Sequence, residues 1–432
     1  MTHFSKWVER FHNRIGSNSS KCNELDDNAC QAQNGNYLLF VVSLVLSKIA
    51  DSLASAKVVL PWLMATTGAP IFLTSLLVPI RESGAMLPQI VLGAHIRRQA
   101  TRKQYLVYGA VLQAIAVLAL LFAAISLSGT VAGIAIVVLT ILFSLARAIS
   151  SIANKDVMGK TIDKSKRGKL SGTAASIAGA ITIVFGGALY LRSSEQGGAI
   201  ILLALAAVCF LLSAFSCALI KEYDGDKSDD KSALEVAKNN LKLLKQDIGF
   251  ARFVWVRSLM ISSGLAAPYL VLMAEQQASS SYVSLASLIV LGGIASLISG
   301  RIWGKLADKN SKGLMAFTAS LNTIICLLSA LFICFEVDSI YPYLALFFVL
   351  LVVHEGVRQA RKTYLVDMAG GNKRTDYVSV SNSLIGVVLL LIGLLSGALA
   401  QFSIFAVMLA FALFSGIAFA LSFSLKNVSK KD

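Results

Sequence analysis

Charge is what this sequence has least of. Asp, Glu, Lys and Arg make up 15% of its 432 residues, against 56% apolar, where a soluble domain holds about 45–50% apolar residues. That scarcity excludes a soluble globular chain and leaves a polytopic protein of the lipid bilayer. Histidine is scarce too. His3, His12, His95 and His354 form no His-x-x-His or His-Glu-x-x-His pair, so zinc-type hydrolysis has no ligand set. No G-x-x-x-x-G-K-S/T run occurs, and Gly370-Gly371-Asn372 is a short turn, which excludes a phosphate cradle and ATP-driven pumping. The cysteines are Cys22, Cys30, Cys209, Cys217, Cys326 and Cys334, without Cys-x-x-Cys spacing. Four lie in or beside apolar runs as small hydrophobes, and no metal site is expected. With no cofactor, metal or catalytic constellation, the chain is not expected to be an enzyme. The first apolar run begins near Tyr37, so no removable leader is expected.

What is present is a series of long apolar runs. A span needs about 20 apolar residues to cross the hydrocarbon. Runs of that kind fall near 37–60, 70–94, 104–127, 131–153, 170–191 and 198–219, and again near 252–273, 282–303, 313–335, 341–363, 378–399 and 402–424. The fold class is therefore all-α, with twelve spans in two bundles of six. The net charge of +15 would suggest nucleic acid in a soluble protein, but its distribution gives a simpler account. One side carries Arg97, Arg98, Arg102 and Lys103, then Lys155 to Lys169, Lys362, Lys373, Arg374 and the Lys426, Lys430 and Lys431 tail. The other offers Arg192 with Glu195, Glu275, Glu336 and Asp338. Cations mark the cytoplasmic side, so both termini are expected there, in a plasma membrane (the inner membrane in a bacterium), with no nucleic-acid partner.

The expected divisions are a cytoplasmic tail over 1–36, bundles over 37–220 and 250–425, a cytoplasmic loop over 221–249, and a tail over 426–432. In the first tail, Phe4, Trp7, Val8, Phe11 and Ile15 make an apolar stripe with Lys6, Arg10 and Arg14 off it, the pattern of an interfacial helix. Residues 17–36 read as a polar linker. In the central loop Leu234, Ala237, Leu241, Leu244 and Ile248 make a second stripe.

Between the eighth and ninth runs stands Gly300 to Gly313, with Arg301, Lys305, Lys309 and Lys312 around a single acid, Asp308. Gly304-Lys305-Leu306-Ala307-Asp308-Lys309 resembles the loop signature of the major facilitator superfamily, G-x-L-A-D-R/K followed by x-G-R/K-R/K. Ser311 and Gly313 depart from it. The chain also repeats itself at an offset of 207: Pro61 falls on Pro268, Lys155 on Lys362, Lys166-Arg167 on Lys373-Arg374, and Gly179 on Gly386. Repeats of this size mark transporter folds. The first copy of the signature is damaged, with Arg97 in place of Gly304 and Thr101 in place of Asp308.

The resemblance implies a monomeric secondary transporter of a small solute, working by alternating access of two bundles. It assigns Gly304, Asp308 and Lys309 to a gating loop, with Asp308 facing the helix start near 375–379. Coupling to protons is the expectation. A multidrug exporter, or a sensor or scaffold that keeps the fold, are the alternatives. The exporter signature in the fifth span ends Gly-Pro-x-x-Gly-Gly, whereas this chain keeps only the final Gly186-Gly187. Gly172, Gly179 and Gly186, seven apart, share one face and permit close helix approach.

Ionisable residues inside spans are costly and are functional candidates by default. They are Lys48, Asp51, Arg81, Glu82, Arg147, His354, Glu355 and Arg358. Lys48 and Asp51, at i and i+3, can pair on their own helix. Arg81 and Glu82, being neighbours, cannot point at one spot, so one lines a cavity and the other meets an adjacent span. Arg147 and His354 occupy equivalent places, 207 apart. Lys57 is placed near the outer end as a snorkelling residue, and Arg257 and Arg358 nearer the inner end. Five deep cations against three acids favour an anionic solute. Asp51, Glu82, Glu355 and His354 are the candidate proton carriers.

Overall fold

The computed structural model describes residues 27–89, 92, 95–96, 98–189, 197–224, 244–277, 281–369 and 374–428. The interfacial stripe of residues 4–15 lies outside these, as does most of the second stripe. In the described residues the chain runs through α1 (Asp27–Leu53), α2 (Val59–Thr66), α3 (Ile71–Met86), α4 (Lys103–Ser126), α5 (Gly129–Thr161), α6 (Lys164–Leu189) and α7 (Gly197–Ala218). The second half holds α8 (Ile248–Leu259), α9 (Ser262–Gln276), α10 (Ser281–Cys334), α11 (Ile340–Met368), α12 (Arg374–Ala400) and α13 (Ile404–Ser422). Ten helical stretches are long and apolar enough to span by themselves. The shorter α3 and Leu285–Ser299 complete twelve. Large side chains such as Phe122, Phe215, Leu395 and Phe402 stand exposed; in a bilayer the acyl chains cover them.

Three boundaries differ from the sequence reading. The first span begins at Asp27, so half of the expected polar linker is helix. Its polar residues are occupied: the Asn36 amide exchanges two hydrogen bonds with the Lys221 backbone, at 2.8 and 2.9 Å, and Gln33 accepts one from Asp163 N–H. The Gly300–Gly313 connection is not a loop but the meeting of two helix ends. Asn310 alone leaves helical geometry (φ −157°, ψ 84°), and its side chain accepts the Gly313 N–H at 2.8 Å, capping the ninth span.

The third difference is that spans one and seven are broken. The first opens between Leu53 and Val59, the seventh at Met260–Ile261. Ala54 and Ile261 are 207 apart, so the breaks obey the repeat. Pro61 and Pro268 follow at equivalent places, both buried, inside α2 and α9. A proline removes one backbone donor and crowds the carbonyl four residues before it, which for Pro61 is that of Lys57 inside the first break and for Pro268 that of Gly264 just after the second.

The halves meet through α3 with α12, α6 with the first part of α10, and α2 and α3 with α9. Glycines set these approaches. A methyl on Gly393 would collide with the Pro79 ring, and one on its repeat partner Gly186 would stand 2.8 Å from Val290 Cγ2. Gly386 packs on Leu87 and Gly179 on Leu297, whereas Gly172, nearer the Lys164 end of α6, has open space. The bundles thus touch along the middle and far end of these helices and part toward the Asn310 hairpin.

Adding a side chain at the contact should force the bundles apart. Gly393→Ala is expected to cost about 1–3 kcal/mol by overpacking, whereas Gly172→Ala should be neutral or gain up to about 1 kcal/mol from helix propensity. Thermal unfolding of the two variants in detergent checks the contrast.

Candidate functional site

The deep charges fall into two groups, not one. In the first half, Asp51 near the end of α1 accepts from Arg81 of α3 at 2.7 Å and from Arg147 of α5 at 3.1 Å, both on Oδ1. Arg81 is 6% exposed; its other amine donates to Phe143 O at 3.1 Å, and the guanidinium lies 3.7 Å over the Phe143 ring. The expected Lys48–Asp51 pairing on one helix is replaced by this three-helix cluster. A planar guanidinium packed on a ring keeps a carboxylate more firmly than a flexible ammonium does. Lys48 stays exposed and lines a cavity of about 280 Å³ within the first bundle, with Asp51, Gln113, Arg147 and Ser150.

The second group joins the halves. Lys57 stands in the break between α1 and α2, where the chain turns away from helical packing. Its ammonium donates to His354 Nε2 of α11 at 2.9 Å and stands 3.7 Å from Glu82 of α3. The snorkelling role expected for Lys57 is therefore wrong, because the span begins earlier and is broken just before it. Ser263 O–H donates to Met260 O at 2.9 Å, so its oxygen accepts from His354 Nδ1 at 3.0 Å. That assigns the imidazole as neutral, with Nε2 free to accept from Lys57. A second cross-half bond runs from Ser83 O–H to Gly386 O at 2.8 Å.

Lys57, Glu82, His354, Arg358 and Arg361 line one cavity between the bundles, with apolar walls from Val78, Met260 and Leu389. Its volume is about 30 Å³, room for one or two waters. Gly264, the repeat partner of Lys57, lets the imidazole in; a methyl there would meet His354 Cε1 at 3.0 Å. Glu355 turns away to pair with Arg358 at 2.9 Å on its own helix, with the two side chains 41% and 52% exposed.

Other sequence candidates sit elsewhere. Arg257 is no interfacial anchor: it is 5% exposed and ties α8 to α12 through Ser381 at 2.5 Å and Asn382 at 2.9 Å. Gly304, Asp308 and Lys309 lie at the hairpin, and none of them lines the cavity. Asp308 is exposed and makes no hydrogen bond or ion pair with the described residues. Sequence reasoning overlooked Arg361. The i+3 spacing from Arg358 and i+7 spacing from His354 would have found it, since all three share a helix face.

Comparison with known proteins fits this architecture. The sequence model of the Major Facilitator Superfamily matches residues 40–354. The chain belongs to that superfamily. Among solved structures it resembles a D-xylose-proton symporter, with a TM-score of 0.69 and 13% identity over 91% of this chain and 98% of that one. It also resembles the nucleoside transporter NupG, with a TM-score of 0.63 and 13% identity over 90% and 98%. At such identity the likeness is one of fold. No curated protein matched in sequence.

Removing the shared carboxylate should expose the first cluster's dependence on it. Asp51→Asn leaves two guanidiniums facing each other and is expected to cost about 1–3 kcal/mol, the penalty for a buried donor without its partner. Arg147→Gln should cost less, because Arg147 is 41% exposed. Thermal unfolding of purified variants measures both, and a wild-type midpoint in Asp51→Asn would refute the clamp.

Proposed function

We propose that this chain moves a small, anionic solute across the plasma membrane by rocking its two bundles about the central cavity, driven by a proton gradient. The observation that carries the reading is a charged cavity lying between two bundles that touch beyond it and part before it. A cross-half hydrogen bond at its centre, Lys57 to His354, can break and reform as the bundles move. The side-chain exposure of Arg147, Glu355 and Arg358, 41%, 41% and 52%, supports access to this depth from the hairpin end.

The hairpin end is the cytoplasmic one in this reading, on the strength of its cations. One fact weighs against it: Cys30, near the start of α1, is disulfide-bonded, which a reducing compartment disfavours. Cations in every connection at that end outweigh a single bond. Single cysteines near Gly129 or Asp338 should react with an impermeant maleimide in intact cells, and one at Lys166 should not. Labelling at Lys166 would invert the orientation.

For proton coupling, a carrier must change charge during the cycle, which arginine cannot do. Glu82 and His354 line the inter-half cavity and share Lys57; Asp51 is held by two arginines and Glu355 by Arg358. Any carboxylate held by a cation must lose that partner in one state to take up a proton near neutral pH. Glu82→Gln, Asp51→Asn, Glu355→Gln and His354→Gln should be reconstituted in liposomes. The variant of the true carrier will lose uptake driven by a pH gradient and keep solute exchange. Full gradient-driven uptake in all four would overturn proton coupling.

A further inference from the structure

Among the described residues, Arg361 is the cation lining the central cavity that has no hydrogen bond or ion pair. Arg358, three residues before it, is paired with Glu355 at 2.9 Å. Lys57 is bonded to His354 at 2.9 Å and faces Glu82 at 3.7 Å. Arg361 lines the same cavity but makes no hydrogen bond or ion pair with the described residues. Glu82 and Glu355 act on it at longer range, and each is engaged by a nearer cation. A guanidinium without a counter-ion at membrane depth is costly, and it cannot shed its charge at accessible pH.

We propose that Arg361 is the anion-binding residue of the transport site, taking the single carboxylate or phosphate head group of the solute with Lys57 opposite. The proposal rests on the transporter reading and narrows its substrate class. Charge balance supports it. Lys57, Arg358 and Arg361 line the cavity against Glu82, with Glu355 beside it, His354 neutral, and Arg257 and Arg147 within electrostatic reach, so the excess charge is positive. Geometry supports it as well. A guanidinium presents a planar fork that matches two oxygens of a carboxylate or phosphate. The cavity of about 30 Å³ holds little beyond such a head group, and the body of the solute extends toward the hairpin end, where the bundles part. A neutral sugar or nucleoside would leave the guanidinium uncompensated.

The test uses the full chain in detergent, at constant ionic strength in sodium chloride. Thermal unfolding is followed with acetate, lactate, inorganic phosphate, glucuronate and glucose 6-phosphate, and with glycerol, glucose and uridine as neutral counterparts. A ligand of the folded state raises the midpoint. At least one anion should do so, with apparent affinity reduced tenfold or more in Arg361→Gln and partly retained in Arg361→Lys, while neutral counterparts have no effect. If Arg361→Gln fails to fold, glucose 6-phosphate against glucose, and glucuronate against glucose, decide in the wild type and Arg361→Lys. The proposal fails if no anion shifts the midpoint, if a neutral counterpart binds as tightly, or if Arg361→Gln binds the anion unchanged. Counterflow in liposomes separates this from the transporter reading. An anion that binds through Arg361 without counterflow leaves the site standing and overturns transport. Counterflow of a neutral solute, untouched by Arg361→Gln, does the reverse.

Discussion

A charge in the middle of a bilayer must be neutralised where it stands or reached by water, and this constraint organises both halves of the protein. Asp51 meets it by sharing one oxygen between Arg81 and Arg147, which fixes α1, α3 and α5 against one another. The cluster carries more positive than negative charge, so it depends on the water that reaches Arg147 and Lys48 through the adjoining cavity. Rigidity of the first bundle and hydration of its core are therefore one requirement. In the second bundle the same requirement is met differently. Among the described residues Arg257 meets no acid, and its two terminal amines donate to Ser381 and Asn382 oxygens instead.

Two bundles that are each internally locked can move only as bodies, and the glycine contacts fix where. Gly186 on α6 and its repeat partner Gly393 on α12 let backbones approach where a methyl would clash, and Gly179 and Gly386 pack tightly on Leu297 and Leu87. Contacts of this kind come from close packing without long side chains, so they can slide with little loss of area. The polar links across the same interface are sparse by comparison. Lys57 to His354 and Ser83 to Gly386 O are worth on the order of 1 kcal/mol each, small enough for a ligand to offset.

Much of the fold was legible in the sequence because the bilayer imposes it: span length, loop charge and a repeat in rare residues all follow from lipid or from duplication. The limits of that logic are equally physical. Asn36 and Gln33 looked like linker because hydropathy weighs a polar side chain as if it faced solvent, whereas both bind backbone groups at the bundle's edge. The Gly300–Gly313 stretch looked like a loop because its charges are dense, yet charged residues are good helix formers and only Asn310 breaks. The eight ionisable candidates were singled out by depth along their spans, but depth along a helix says nothing about facing. That is why one apparent set divides into a cluster inside the first bundle and another between the bundles.

Lys57 shows the consequence most sharply. Counting residues from Tyr37 put it close to the outer surface, because a regular helix rises about 1.5 Å per residue. The span begins earlier and the chain is broken over 54–58, so the rule of constant rise fails where Lys57 sits. The break matters for more than position. Lys57, placed in the break, projects onto an imidazole of the other half. The equivalent break in the seventh span carries Met260, whose carbonyl orients Ser263 and through it His354. The two breaks thus supply, from opposite halves, the donor and the support of one cross-half bond. The repeat delivers both sides of the contact although the residues that make it share no identity.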